Sequence, residues 1–242
     1  MRHPFVPLCA LAGAAALLAA GCSPGSSPTA GQRRTAPSAA AAVGAAKSPA
    51  DVGANELGDV PVLMYHQLTA KPAGVYDRTP ADFRAELERL ARENYVPVTA
   101  QAFQTGRIDI PAGAHPVVLT FDDSTNSQLR LGPNGAPAAD TAVAILTETA
   151  KKYPSFKPVA TFFVNADGFS ATGSAKALTW LKTHGYEVGN HTDRHQNLRS
   201  LDEAGAAEAI TAGQRAIVTA AHGTRVNSLA LPFGGMHQSD SV

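Results

Sequence analysis

Two pairs of polar residues have the composition and spacing of a metal-dependent hydrolytic site. His191 and His195 are four residues apart, and Asp122 and Asp123 are adjacent at the end of an apolar run. If the segment between the histidines formed one helical turn, both imidazoles would face the same point. Two histidines and one carboxylate suit zinc with an open position for water. A bound zinc ion lowers the pKa of water to about 7, so the pattern indicates metal-assisted hydrolysis.

Two further groups could complete such a reaction. A carboxylate beside the metal ligand could accept a proton, and a nearby imidazolium could donate one to a leaving group. Taken singly, each feature has an ordinary structural explanation: a chance histidine pair, aspartates that cap a turn, a histidine that ends a strand, and a turn at Pro232-Phe233-Gly234. The functional interpretation therefore depends on the fold bringing these groups together.

The composition excludes several classes of protein. The 242 residues carry 20 basic and 20 acidic side chains, and this balance argues against a nucleic-acid partner. Two cysteines, Cys9 and Cys22, are too few for a disulfide scaffold or a four-cysteine zinc site.

Residues 1–22 are typical of a secretory signal. Arg2 precedes an uncharged stretch from Phe5 to Ala20, which is shorter than the roughly 20 residues that span a membrane. Cys22 directly follows Ala20-Gly21, an order that resembles the bacterial lipoprotein box, in which the cysteine thiol is acylated. The alternative is an ordinary signal peptide with an incidental cysteine. We therefore expect export, with a lipid anchor at Cys22 on the outer face of the cytoplasmic membrane, or secretion if Cys22 is not acylated.

Composition also divides the remaining chain. Residues 23–58 are mostly Ala, Ser, Pro, Gly and Thr with few large aliphatic side chains, which predicts a flexible linker. Residues 59–242 are long enough for one catalytic domain with a sizeable core.

Within this domain, predicted strands alternate with predicted helices. This order favours an α/β fold with a parallel sheet or barrel, in which polar groups at the strand ends lie together. Ser200 and Glu203 form a capping-box pattern that predicts a helix running to about Ala221, with Gly213 inside it. The predicted strands are 60–66, 95–99, 117–121, 159–165, 186–190 and 226–232, and the other predicted helices start at Pro80 or cover 138–152 and 174–184.

Taken together, the motifs resemble those of the polysaccharide deacetylases of carbohydrate esterase family 4, which share the NodB homology domain. Thr120-Phe121-Asp122-Asp123 is similar to the first family motif, and His191-Thr192-Asp193-Arg194-His195 is similar to the second. Ala230-Leu231-Pro232-Phe233-Gly234 matches the position of the third motif. Pro61-Val62-Leu63-Met64-Tyr65-His66 resembles the branch that includes the biofilm poly-N-acetylglucosamine deacetylases.

The resemblance implies a fold, a reaction and a role for each residue. The fold would be a distorted (β/α) barrel, and the reaction the removal of N-acetyl groups from a polysaccharide built on N-acetylglucosamine. Asp122 would be the general base, His66 the general acid, and the backbone N–H of Phe233 a donor to the oxyanion. The divalent metal, expected to be Zn²⁺, would be held by the ligands Asp123, His191 and His195.

The chain departs from the family pattern at three points. Ser124 stands in place of the usual Gly, and Ala230 stands where many members have an arginine that positions the base, so Asp122 must be oriented otherwise. Eight residues follow Gly234, so we expect the barrel to lack its last strand or strands. Two alternatives remain open at this point: an O-acetyl polysaccharide esterase and a non-catalytic glycan-binding domain.

Overall fold

The computed structural model describes residues 47–54, 58–169 and 173–236. The predicted signal segment, Cys22 and the linker up to residue 46 lie outside the described residues. The strands are Val62–Tyr65 (β1), Tyr95–Val98 (β2), His115–Phe121 (β3), Thr161–Val164 (β4) and Glu187–Asn190 (β5). The helices are Pro80–Arg92 (α1), Ala100–Gln104 (α2), Ala142–Lys152 (α3), Ser174–Thr183 (α4) and Glu203–Ala220 (α5). None of the described helices is long and apolar enough to cross a membrane.

All pairings between these strands are parallel, and β3 lies at their centre. Val118 pairs with Val62 of β1 and with Val98 of β2, so these two strands lie on opposite sides of β3. The last residues of β3, past those that pair with β2, pair with β4. Strand β4 in turn pairs with β5. The predicted α/β fold class is therefore confirmed.

Aromatic side chains fill the core between the sheet and the helices. The rings of Phe121 and Phe162 stack with centroids 4.8 Å apart, and Tyr65 stacks on Phe121 at 5.4 Å. Phe83 and Leu87 of α1 are fully buried against this group. Burying each such side chain contributes roughly 1.5–3 kcal/mol, so this cluster anchors the strands whose ends carry the site.

Several helices begin directly after a residue whose side chain accepts a hydrogen bond from a backbone N–H of the first turn. Thr79 and Thr141 accept from the third residue of α1 and α3, which satisfies donors that a helix leaves unpaired. The prediction that Ser200 caps α5 is wrong. Asp202 is the cap and accepts from the N–H of Gly205 at 2.8 Å, while Ser200 ends a short 3₁₀ turn.

The predicted strand over 226–232 is also wrong. Among the described residues, this segment makes a single parallel bridge, between Leu229 and Asn190 at the end of β5. The N–H of Asn190 donates to Ser228, and the N–H of Ala230 donates to Asn190. The segment therefore lies beside β5, but Pro232 begins a 3₁₀ turn before a ladder can extend.

Helix α5 packs directly onto the loop that follows β5. A Cβ placed on Gly213 would lie 2.6 Å from Asn190 Oδ1 and 2.7 Å from the carbonyl carbon of Thr192. The absent side chain allows the loop to bond to the helix: Asn190 Nδ2 donates to Ile210 O, and the N–H of Asp193 donates to Ala209 O. Glycine has a low helix propensity, so it destabilises a helix interior. At position 213 it is needed because α5 packs closely against the loop after β5.

We expect Gly213→Ala to destabilise the protein by about 1–3 kcal/mol, because the new methyl group meets backbone that cannot move away cheaply. Urea unfolding monitored by circular dichroism measures this change. Gly205→Ala in the same helix is the matched control, since its methyl group would lie 2.9 Å from Asp202 Oδ1 and 3.5 Å from Leu201 Cβ, which are side-chain atoms and not backbone. Near-neutral behaviour of both variants would contradict the packing role of Gly213.

Candidate active site

The candidate site forms where three parallel strands end. His66 follows β1, the Asp122-Asp123 pair follows β3, and His191 follows β5. Because parallel strands end at one edge of a sheet, these side chains lie near one another although up to 125 residues separate them.

Asp123, His191 and His195 form a group that could hold a metal ion. The Oδ1 atom of Asp123 lies 3.5 Å from Nε2 of His191 and 3.2 Å from Nε2 of His195. The ligand atoms all lie within 4.8 Å of one another. His191 is buried, whereas Asp123 and His195 are partly exposed. The group is therefore held by the protein on one side and open on the other.

The two histidines come together through a turn and not through the predicted helical turn. Thr192 and His195 have positive φ angles of 66° and 56°, which reverse the chain between them. Asp123, with φ 72°, and Ser124, with φ 49°, make a comparable turn after β3. Such conformations cost of order 1–3 kcal/mol each and persist only where surrounding contacts enforce them. The spacing of the two histidines correctly predicted that they lie together. The helical turn predicted between them is wrong.

Hydrogen bonds fix the orientation of His191. Its Nδ1 atom lies 2.9 Å from the backbone oxygen of Ala230, and a carbonyl can only accept, so Nδ1 carries a proton. The Nε2 atom is therefore the one that faces Asp123 and is available as a metal ligand. Asn165 Nδ2 donates to the backbone oxygen of His191 at 2.7 Å and holds the loop from the other side. Neither of these contacts of His191 was predicted from the sequence.

The titratable groups of the site shift one another's pKa values. The hydrogen bond from His191 lowers the pKa of Asp123, against the opposite effect of its partial burial. Burial lowers the pKa of His191, but its bond to Asp123 and the charge of Asp122 outweigh burial, so this pKa is raised. Burial dominates for His195, and its pKa is lowered.

Asp122 is in a different environment from its neighbour. It is 6% exposed, and its Oδ1 atom is buried without a hydrogen-bond partner among the described residues. Burial raises the pKa of Asp122, although the positive charges of His191 and His66 oppose the rise. A buried carboxylate with a free oxygen and a raised pKa has the properties of a proton acceptor.

His66 and Phe233 each make an aromatic ring contact at the site. The His66 ring stacks on Tyr76 with centroids 5.0 Å apart, and its Nδ1 atom is buried without a partner among the described residues. The Phe233 ring packs edge-on against His195 with centroids 4.6 Å apart and is 74% exposed. Tyr76 and Phe233 are thus exposed aromatic side chains beside the site, and the role of Tyr76 was not predicted from the sequence.

The donor set fits a zinc ion. Two imidazole nitrogens and one carboxylate oxygen are ligands that zinc prefers, and one of the imidazoles has its second nitrogen bonded to a backbone carbonyl. In the part of the chain that the structure describes, the Oδ1 atom of the neighbouring Asp122 has no hydrogen-bond partner. The arrangement thus has a candidate cation site next to a candidate base.

We expect Asp122→Asn to raise the thermal midpoint of the chelator-treated protein at pH 7. The folded-state pKa of Asp122 is raised, so its contribution favours folding at low pH and is lost as pH rises through that pKa. The side-chain amide of the Asn variant does not ionise, so the variant does not lose this stability at neutral pH. Its higher thermal midpoint should therefore be present at pH 7 and absent at pH 4.

Asp123→Asn is the matched control, with the opposite sign. The pKa of Asp123 is lowered, so its contribution is present at neutral pH and is lost as pH falls. The chelator-treated variant should melt below the wild type at pH 7. Equal shifts for both variants would contradict the different environments of the two carboxylates.

Comparison with known proteins identifies the relationship. Residues 109–241 match the family model described as polysaccharide deacetylase. A search of curated protein sequences gave no significant match.

Solved structures show the same fold. Streptococcus pyogenes deacetylase PplD, solved in complex with acetate, is 22% identical with a TM-score of 0.55, over 75% of this chain and 76% of that chain. IcaB from Ammonifex degensii is 22% identical with a TM-score of 0.51, over 72% and 74% of the two chains. A polysaccharide deacetylase from Bacillus cereus is 22% identical with a TM-score of 0.56, and the match covers 74% of this chain but only 52% of that one. From the match of the family model to more than half of its length, this chain belongs to the polysaccharide deacetylase family.

Proposed function

We propose that this protein is a zinc-dependent hydrolase that removes N-acetyl groups from a polysaccharide containing N-acetylglucosamine. The observation that carries the proposal is the position of Asp122 next to the Asp123, His191 and His195 group: its carboxylate is buried, and its Oδ1 atom has no hydrogen-bond partner among the described residues. A deacetylase needs a proton acceptor beside its metal, and this pair of features meets that need.

Asp123, His191 and His195 would hold the zinc ion. When bound, zinc supplies a lowered pKa for water and polarises the carbonyl group of an acetamide. The side chains of His195 and Asp123 are partly exposed, which leaves that side open to a polymer chain.

Asp122 acts as the general base. Its carboxylate accepts a proton from the attacking water, and the water oxygen adds to the acetamide carbon. Its buried setting raises its pKa, so a proton taken up there is held more firmly than on an exposed aspartate.

His66 acts as the general acid. It donates a proton to the amide nitrogen as the C–N bond breaks, so the products are acetate and a free amine on the sugar. The backbone N–H of Phe233 donates to the developing oxyanion, a role that needs no particular side chain. The exposed rings of Tyr76 and Phe233 are suited to packing against sugar rings beside the reacting group.

The deciding experiment measures acetate released from a β-linked N-acetylglucosamine oligomer by residues 59–242, with added zinc and with a chelator. We expect zinc-dependent release, because metal and base are both required. An acetylated xylan serves as the ester substrate in parallel. Release from the ester alone, or from neither substrate by folded, zinc-loaded protein, would refute the proposal.

Variants separate the proposed roles. Asp122→Asn should lower kcat by at least about 100-fold while zinc content stays the same, since it removes the base and spares the ligands. Asp123→Ala and His191→Ala should instead lose zinc, measured by atomic absorption. Full zinc content in the ligand variants, or retained turnover in Asp122→Asn, would reject the assignment of that residue.

We also propose that the protein is exported and anchored by a lipid on Cys22, with residues 23–58 as a linker. The uncharged stretch before Cys22 and the small residues next to it support this proposal. Cells expressing the full chain should incorporate radiolabelled palmitate into the protein and retain it in the membrane fraction. Cys22→Ala should abolish both. Labelling that persists in this variant would contradict the anchor.

A further inference from the structure

A single buried side chain connects the backbone of His66 to the backbone of Asp122. Gln128 is fully buried, in the loop between β3 and α3. Its Nε2 atom donates to the carbonyl oxygen of His66 at 2.7 Å and to the carbonyl oxygen of Asp122. Both partners are carbonyls and can only accept, so the nitrogen must lie between them, and each amide hydrogen has its own acceptor.

This bridge lies where the strand ladder ends. The last β1–β3 bond runs from the N–H of Asp122 to the oxygen of Tyr65 at 3.0 Å. The carbonyls of His66 and Asp122 come next, and the side-chain amide of Gln128 takes the place of a ladder donor. It thereby holds together the two chain segments that carry the proposed acid and base.

Gln128 is itself held by rigid neighbours. Its backbone N–H donates to Thr125 O at 3.0 Å, and its backbone oxygen accepts from Val143 in the first turn of α3. The position of the amide is thus fixed by a helix and a turn, so it can set the position of other groups.

Neighbouring residues hold the same part of the chain. Thr125 Oγ1 donates to His66 O at 3.4 Å, and Ser127 Oγ accepts from the N–H of Leu68 at 3.0 Å. These bonds reach only the chain after β1. Among the described residues, Gln128 is the one whose side chain bonds to the backbone of both His66 and Asp122.

We propose that Gln128 is a positioning residue that sets the separation between the acid His66 and the base Asp122. The inference rests on the proposed function, because it assigns to Gln128 the geometry of two groups whose roles are proposed there. A displacement of about 1 Å in a reacting group can lower turnover by up to about 100-fold. Loss of the Gln128 bridge should therefore lower kcat measurably.

The test replaces Gln128 with methionine, which keeps the volume and removes both donors. We expect kcat for acetate release to fall about 10- to 100-fold, with KM and zinc content nearly unchanged. Thr149→Val is the matched control: it removes another buried hydrogen bond, to Ile145 in α3, away from the site. Its kcat should stay that of the wild type. A Gln128→Met enzyme with wild-type kcat would overturn the proposal.

A double-mutant cycle separates positioning from a general structural effect. In a His66→Ala background the acid is absent, so Gln128→Met should lower the residual kcat by less than about 3-fold. The same fold loss in both backgrounds would show that Gln128 acts independently of His66 and would refute the inference.

A second readout does not depend on turnover. In the wild type, both Gln128 side-chain amide protons should exchange slowly with solvent by NMR, and each should show scalar coupling across its hydrogen bond to a carbonyl carbon. Rapid exchange of both protons would overturn the proposal even if Gln128→Met fails to fold. A wild type that releases no acetate would refute the proposed function, while this NMR result would still decide the position of Gln128.

Discussion

The structure depends on the parallel pairing of β3 with the strands on both its sides. Parallel pairing needs long crossover connections, and it sends every carboxyl end to the same edge of the sheet. His66, Asp122 and His191 each follow a strand directly, so pairing alone brings them to one place. The stacked rings of Phe121 and Phe162 fix the strands just before these ends. Core and site are therefore consecutive parts of the same strands.

Pairing does not determine where the side chains point, and here the loops contribute conformations that are locally unfavourable. Four non-glycine residues in or beside the metal-site motifs, Asp123, Ser124, Thr192 and His195, adopt positive φ angles. Contacts elsewhere stabilise them: the N–H of Thr192 donates to Asn190 Oδ1, and the N–H of Asp193 donates to the carbonyl of Ala209 in α5. The close approach of α5 at Gly213 is thus part of the construction of the site, although the helix carries none of the proposed ligands.

The sequence predicted much of this, for physical reasons that also explain the errors. Apolar runs that end in Asp or His are local patterns, so the strands and the residues at their ends could be read directly. Asp202 and Ser200 both have side chains able to cap α5, but Ser200 belongs to the 3₁₀ turn Leu198–Ser200, and the helix begins after Asp202. The apolar run at 226–232 suited a strand, but the run alone does not say that it makes one bridge to β5.

The supporting residues were the hardest to predict because their partners are backbone atoms. The carbonyl of Ala230 orients His191, and the amides of Asn165 and Gln128 bind carbonyls of His191, His66 and Asp122. A backbone carbonyl is present at every residue, so no residue type in the partner marks the contact. Only the three-dimensional arrangement shows which glutamine is a bridge and which is on the surface.

The proposed acid and the proposed base each carry a buried polar atom that lacks a hydrogen-bond partner among the described residues. Among the described residues, His66 Nδ1 and Asp122 Oδ1 are buried without hydrogen-bond partners, as are Gln128 Oε1 and the hydroxyl groups of Tyr65 and Tyr186. Such atoms destabilise a folded protein by about 1–3 kcal/mol each, so a sequence selected for stability alone would avoid placing them together. Asp122 has such an unpartnered oxygen and also a raised pKa. Its backbone is held by hydrogen bonds at both its N–H and its carbonyl. A fixed backbone that holds an unsatisfied carboxylate keeps its free oxygen in one place, and a proton acceptor works best under that condition.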